Sequence, residues 1–218
     1  MSLTIDMNTN EFDDLVNLLK RDHKRAVVKS VKRAINRTTP AMKKAVAASV
    51  SAKYKITKAK VNKNYTKVRK RIRGFDINTL EGEVSISGQS IPMILFVKGK
   101  KTPRKQKGIP VAKRRGFKLE VERGKTRKSG KRVFIARGRQ TDFGKYQVYR
   151  RDKDAKAVGR RRQRMAKPMK RQSITSPAVM FRRGSSMRDP VMNAMGKRFQ
   201  HEFMESLRGL MKQMAAKG

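Results

Sequence analysis

The chain has 218 residues, with 58 lysines and arginines against 16 acids, and its formal net charge is +42. The absence of cysteine excludes disulfides, thiolate metal sites and cysteine catalysis. A hydrophobic fraction of 37% can still build a core, so the chain is not merely a disordered basic tail. We expect a soluble protein, because the longest apolar run, 91–97, is too short to span a bilayer and the acidic start lacks the apolar stretch of a secretion signal.

The positive charge is unevenly distributed. Five acids fall in the first 22 residues, whereas residues 24–75, 84–119 and 155–188 contain none. Such a surface repels itself and is most stable beside a strong polyanion. Nucleic acid is the favoured partner, and acidic protein surfaces and anionic membranes are the competing ones.

The first segment, 1–73, is predicted to be helical. Asn10 is a plausible N-cap, and apolar residues then recur with a helical period as far as Ile35. We expect a break at 36–39, after which Pro40 opens a second helix rich in alanine and serine. A third, short helix is expected from Ile56 towards Tyr65, so the segment should contain two or three helices.

The second segment, 74–150, is predicted to form a central, mostly antiparallel sheet with long basic loops. Alternating apolar and polar residues favour half-buried strands, and the apolar run at 91–97 favours a more buried one. The expected strands, about five in number, are 80–88, 91–97, 117–121, 133–136 and 146–149.

A basic extended connection is expected over 151–188, followed by a long helix over 189–218. Asp189 is the expected cap of that helix and Pro190 its first-turn residue. The order of helices, sheet and helix predicts an α+β fold, with all four segments in one domain.

Enzyme chemistry has little support in this sequence. Neither His23 nor His201 has a nearby His or Cys with which to bind zinc. Asp152 and Asp154 could flank a cation, but they lie among basic residues and are better explained as local charge compensation. Glycine-rich phosphate loops and a nucleophile elbow at Ser185 are not supported by the surrounding sequence either. We expect no catalytic residue, no metal site and no cofactor.

Two basic clusters are the candidate contacts for a polyanion, because no acids nearby in sequence relieve their repulsion. Few aromatic residues interrupt them, which disfavours base stacking on single strands and favours contact with duplex phosphates without sequence reading. The candidate residues are Lys98, Lys100, Lys101, Arg104, Lys105, Lys107, Arg160, Arg161, Arg162 and Arg164.

The C-terminal helix carries an apolar stripe rich in methionine, which could be an adaptable docking surface. Ordinary packing in the core or against another subunit would produce the same pattern. The interface candidates on this stripe are Met192, Met195, Phe199, Phe203, Leu207 and Leu210.

Four stretches of sequence, in their order and spacing, resemble the minor tail protein Z family of tailed bacteriophages. The resemblance spans most of residues 25–215, and the loop 150–171 is longer and more basic than is typical of the family. The stretches are Ala34-Ile35-Asn36-Arg37 with 56–61; the strand pair 80–88 and 91–96; the ladder 117–121, 133–136 and 146–151; and Ser176-Pro177-Ala178-Val179 before the last helix.

The resemblance implies a non-enzymatic virion protein at the head-proximal end of the tail. Such a protein would complete the tail for head–tail joining and would position DNA in the neck. It also implies assembly in the host cytoplasm, other tail and neck proteins as partners, and a homo-oligomeric ring that could be a hexamer. Sequence-independent contact with packaged DNA is expected, and contact with a membrane is not.

Two other classes of function stay open. Composition alone favours a free nucleic-acid-binding protein of the ribosomal or nucleoid type. A membrane-surface binder is less favoured, because no basic amphipathic helix carries large aromatic residues.

Overall fold

The computed structural model describes residues 10–73, 77, 80–102, 116–130, 132–141, 144–151, 169–182 and 186–216. These residues confirm the α+β fold class, with helix at both ends and antiparallel sheets between them. The helices are α1 (Asn10–Lys53), α2 (Lys58–Asn64), α3 (Pro177–Met180) and α4 (Arg188–Ala215). The strands are β1 (Thr66–Arg71), β2 (Glu81–Ile86), β3 (Ile91–Pro92), β4 (Val97–Lys98), β5 (Lys118–Glu120), β6 (Thr126–Lys128), β7 (Val133–Thr141), β8 (Gly144–Arg151), β9 (Met169–Arg171) and β10 (Ser173–Ile174).

Within the described residues, the strands form four small sheets instead of the one central sheet that was expected. Their described pairs, all antiparallel, are β1–β2, β3–β10, β4–β5–β6 and β7–β8–β9. The expected long strand at 91–97 is wrong, because a 3₁₀ turn over Met93–Phe96 separates β3 from β4. Ile94, Leu95 and Phe96 are all buried, and a turn can bury three successive side chains where a strand would alternate them.

The expected helix break at 36–39 is also wrong, since α1 continues through Pro40. Proline has no N–H, so the carbonyl of Asn36 loses its helical donor. Lys70 of β1 replaces it: the Lys70 Nζ donates to the Asn36 carbonyl oxygen at 3.2 Å and to Asn36 Oδ1 at 2.9 Å. A side chain from a distant strand therefore satisfies the helix at the position where proline would interrupt it.

The end of the first segment departs from the all-helical expectation as well. The short helix α2 is confirmed, and the side chain of Thr57 caps it by accepting from the Lys60 amide. Strand β1 follows immediately, although no strand was expected before residue 74. Its inward-facing positions are Thr66, Val68 and Lys70, so basic residues at every second position obscured the apolar alternation.

The expected connection over 151–188 contains ordered elements in its described part. Strands β9 and β10 and the short helix α3 lie there, and Met180 and Phe181 are buried. Residues 152–168 lie outside the described residues. Helix α4 begins at Arg188 with Met187 as its N-cap residue, so Asp189 occupies the first turn instead of the cap. There its carboxylate still faces the positive end of the helix.

The chain divides into two compact units. The first comprises residues 1–51, 57–89 and 177–218, and the second comprises 52–56 and 90–176. The prediction that all segments form one domain stays a prediction.

Helix α1 packs against α4 and the β1–β2 sheet in the first unit. One buried cluster combines Ala26, Val27 and Ala34 of α1 with Phe203 and Leu207 of α4. A second joins Met42 of α1 to Val84 of β2.

Gly82 of β2 is where the sheet comes closest to α1. A Cβ atom at this position would lie 2.6 Å from Thr39 Oγ1 and 2.9 Å from Ile35 Cγ2, both of α1. Only glycine permits this approach of strand to helix.

Candidate polyanion-binding surface

Three lysines lie side by side across the β4–β5–β6 sheet of the second unit. The register places Lys98 opposite Lys118, and Lys118 opposite Lys128. Directly opposite residues share one face of a sheet, with Cβ atoms roughly 5 Å apart. All three side chains are exposed. We refer to Lys98, Lys118 and Lys128 as the lysine row.

The other face of this sheet fixes the orientation of the lysine row. Val97 and Leu119, the next residues along β4 and β5, are directly opposite each other and are buried. Because side chains alternate along a strand, burial of Val97 and Leu119 directs Lys98 and Lys118 to solvent. Turning these lysines inward would require a register shift that exposes the apolar pair.

Glu120 lies on the same face as the lysine row, and its carboxylate already has several polar partners. Lys55 Nζ lies 2.5 Å from its Oε2 atom, and Lys98 Nζ lies 4.0 Å from the same atom. The Gly124 amide donates to its Oε1 atom at 3.3 Å. The hydrogen bond from Lys55, followed by that from Gly124, lowers the pKa of the Glu120 carboxyl. Glu120 therefore stays ionised and shields only the Lys98 end of the row.

The backbone holds Lys55 beside Glu120. The Lys55 amide donates to the Val121 carbonyl at 2.9 Å, and the Arg123 amide donates to the Lys53 carbonyl at 2.9 Å. Tyr54 and Glu122 form an isolated antiparallel bridge between these two bonds. The residues that end and follow α1 thus pair with the segment after β5.

Glu122 is also compensated, because Lys125 Nζ lies 2.8 Å from its Oε2 atom. The hydrogen bond from Lys125 is the main cause that lowers the pKa of Glu122. Among the described residues of the second unit, Glu120 and Glu122 are the only acids. No ion pair joins Lys118 or Lys128 to an acid within that part of the chain.

The structure describes part of the predicted candidate set. Lys98, Lys100 and Lys101 are exposed at and after β4. The expectation that no acid relieves this cluster is wrong at Lys98, because folding brings Glu120 to it. Seven candidates lie outside the described residues: Arg104, Lys105, Lys107, Arg160, Arg161, Arg162 and Arg164.

Sequence reasoning missed Lys118 and Lys128. The alternation at 117–121 does place Lys118 on the face opposite Leu119, which was a usable signal. Strand pairing could not be read from the sequence, so the lysines of three separate strands could not be assigned to one row.

An aromatic pair near basic residues was also missed. Phe134 of β7 is opposite Tyr149 of β8, with ring centroids 6.3 Å apart, and Tyr149 is opposite Arg171 of β9. Both rings are half-buried and Arg171 is exposed. This sheet lies outside the two predicted basic clusters, so the expectation that few aromatics interrupt those clusters stays a prediction.

The interface candidates of α4 pack inside the first unit. Phe203, Leu207 and Leu210 are buried, and Phe199 packs against the same cluster. Met192 and Met195 pack against the cluster of Met42 and Val84. Core packing accounts for this stripe, although Met214 near its end is 47% exposed.

Within the described residues, no three His, Cys, Asp or Glu side chains are grouped so that they could hold a metal ion, and none of the helices combines the length and apolar character of a membrane span. His201 is an exposed helix residue 4.0 Å from Glu205. His23 lies within α1, whereas Asp152, Asp154 and Ser185 fall outside the described part of the chain. Comparison with models of protein families, with curated proteins and with solved structures found no match.

Proposed function

We propose that this chain is a non-catalytic structural protein of a tailed-phage particle that contacts DNA without reading its sequence. Its proposed place is the head-proximal end of the tail, where it helps to complete the tail for head–tail joining. The family assignment rests on the four sequence stretches that resemble the minor tail protein Z family.

One observation carries the DNA contact: the positive charge of the second unit exceeds what its own acids can neutralise. Glu120 and Glu122 are both paired with lysines, and the lysine row stays exposed beside them. Like charges held at opposite positions of a sheet are destabilising. A polyanion that binds there relieves the repulsion and releases its own condensed counterions.

The proposed partners are other tail and neck proteins, together with copies of this chain in a ring that could be a hexamer. Because Phe203, Leu207 and Leu210 are buried in the chain's own core, these three side chains are not available for contacts between subunits. Sedimentation velocity of the purified protein, with and without tail proteins, measures the subunit count.

The test is a deletion of the coding sequence in the phage that encodes the chain. We expect heads filled with DNA and separate tails that fail to join, and we expect the chain to be present in purified wild-type particles. Normal joining without the protein, or its absence from those particles, would contradict the proposal.

The second candidate function is a free nucleic-acid-binding protein, and the exposure of the lysine row in a single chain favours it. Gel retardation of a duplex combined with co-sedimentation on assembled tails separates the two. Tight DNA binding without particle association favours the free protein, whereas association with tails favours the structural one.

A further inference from the structure

We propose that the lysine row, Lys98, Lys118 and Lys128, is a binding track for consecutive phosphates along one strand of duplex DNA. This inference rests on the proposed function, and it adds the residues and the part of the ligand that they contact. The row cannot be recognised from the sequence around any one of its lysines, because the three lysines come from three strands.

The spacing of the row suits a nucleic-acid backbone. Adjacent strands lie about 4.8 Å apart, so the two outer lysines are separated by about 10 Å. Each DNA strand carries one phosphate per roughly 3.4 Å of helix axis, and because the strand also winds around that axis, consecutive phosphates lie further apart in space than this rise. Long lysine side chains adjust easily to the small difference between the two spacings.

The chemistry of the row favours phosphate over bases. Lysine presents a point charge that suits phosphate oxygens, whereas bidentate arginine is the usual reader of guanine. Strand β6 is exposed at all three of its residues, and Thr126 is the only uncharged one. A track of this kind holds DNA in place without selecting a sequence.

The surroundings of the row favour DNA over an acidic protein. Protein–protein interfaces are depleted in lysine and need an apolar centre, whereas protein–DNA interfaces are polar and strongly positive. The apolar residues of this sheet, Val97 and Leu119, are buried on its other face. The row therefore offers a partner charge and hydrogen bonds but no apolar contact.

The ends of the row differ, which gives the track a polarity. Glu120 lies 4.0 Å from the Lys98 ammonium and is itself paired with Lys55, whereas Lys128 is in the strand at the other end of the sheet. The potential for a phosphate is consequently weakest at Lys98 and strongest towards Lys118 and Lys128. We expect Lys118→Gln and Lys128→Gln to weaken binding more than Lys98→Gln.

The experiment measures binding of a mixed-sequence 20-bp duplex to the full chain by fluorescence anisotropy between 50 and 300 mM salt. For Lys98→Gln/Lys118→Gln/Lys128→Gln, the salt slope should flatten by about 2.7, since each duplex phosphate contact contributes about 0.9. At 150 mM salt, binding should weaken by about 10- to 100-fold.

The matched control is Lys29→Gln/Lys44→Gln/Lys197→Gln, which removes the same charge from exposed helix positions of the first unit. It should leave the salt slope nearly unchanged. Removing repulsion within the row should not lower the melting temperature, and a single Lys118→Gln variant, with an expected slope change of about 0.9, keeps the test decisive if the triple variant misfolds.

Equal effects of the row variant and its control would overturn the track while leaving the proposed function intact. Binding to poly-glutamate that is tighter than binding to the duplex would overturn it in favour of an acidic protein. Tighter binding to a single-stranded oligonucleotide that is lost in Tyr149→Ala would assign the site to the aromatic pair instead. Failure of the wild-type chain to bind any DNA would contradict the proposed function itself.

Discussion

The β1–β2 and β4–β5–β6 sheets both contain basic strands, but they differ in what lies opposite the basic residues. Lys67, Arg69 and Arg71 of β1 are exposed, and the last two are directly opposite Glu83 and Glu81 of β2. In β4–β5–β6, lysine is opposite lysine twice. A basic strand therefore indicates a binding surface only when its neighbouring strands do not supply the counter-charge.

The inward residues of these sheets sharpen the contrast. The inward lysine of β1, Lys70, donates to α1 and is part of the fold. In β5 the inward residue is Leu119, and the lysine faces solvent. The first sheet uses one lysine internally and places glutamates opposite two exposed arginines, while the second places exposed lysines opposite one another.

Replacing Gly82 should give the largest loss of stability, because the β1–β2 sheet depends on its close approach to α1. We expect Gly82→Val to cost about 3 kcal/mol of unfolding free energy, since its side chain would overlap Thr39 and Ile35. Urea denaturation measures the loss. Gly209→Ala on α4 is the control, because a Cβ there meets nothing within 4 Å, and it should be neutral or stabilising. Equal stability of Gly82→Val and wild type would refute the close approach.

Removing the Lys70 ammonium should have a smaller effect. We expect Lys70→Met to lower the free energy of unfolding by about 1 kcal/mol, because the Asn36 carbonyl then lacks a donor. In a Pro40→Ala background the alanine N–H can bond that carbonyl, so the same substitution should cost little. A double-mutant cycle in urea measures the coupling, and strict additivity would show that Lys70 does not substitute for the missing N–H.

Acid titration tests whether the ion pair between Arg37 and Glu202 stabilises the first unit. The Arg37 Nη1 atom lies 2.8 Å from Glu202 Oε2, and this hydrogen bond is the main cause that lowers the pKa of Glu202. A lowered folded-state pKa stabilises the protein above the unfolded value of about 4.5, and the gain is lost as pH falls through the folded value. The stability difference between wild type and Glu202→Gln should therefore shrink between pH 6 and pH 3. A difference independent of pH in urea midpoints would contradict it, and exposed Glu205→Gln is the control.

Neutralising the exposed basic residues of β1, two of which are opposite glutamates, should change DNA binding least. We expect Lys67→Gln/Arg69→Gln/Arg71→Gln to change duplex affinity by less than about threefold and to leave the salt slope nearly unchanged, although it removes as much charge as the lysine-row variant. Fluorescence anisotropy under the same conditions provides the measurement. A loss as large as that of the lysine-row variant would mean that binding follows net charge and not local compensation.

The sequence alone predicted the fold class. It also predicted most of the helix boundaries that a capping residue or an apolar period marks. The apolar period of α4 and the Thr57 cap of α2 are local features, and both elements are found where they were predicted. The break at Pro40 was predicted wrongly because the replacement donor comes from Lys70, which is 30 positions further along the chain. A rule based on neighbouring residues cannot account for a hydrogen-bond donor that lies far away in the sequence.

The candidate surface was predictable only in part. Lys98, Lys100 and Lys101 stand out as a sequence cluster, whereas Lys118 and Lys128 join Lys98 through strand register. Glu120 lies 22 positions from Lys98 in the sequence and still reaches it at 4.0 Å. Charge runs identify basic segments, but cross-strand pairing decides which of their charges stay uncompensated.

The bond from Lys70 to Asn36 also bears on the order in which the protein folds. An isolated segment containing Pro40 would be expected to fray there, because nothing local replaces the missing donor. We therefore expect completion of the 44-residue helix α1 to be coupled to docking of β1 and β2. Through Pro40, the longest described helix thus relies on a tertiary contact as well as on its local sequence.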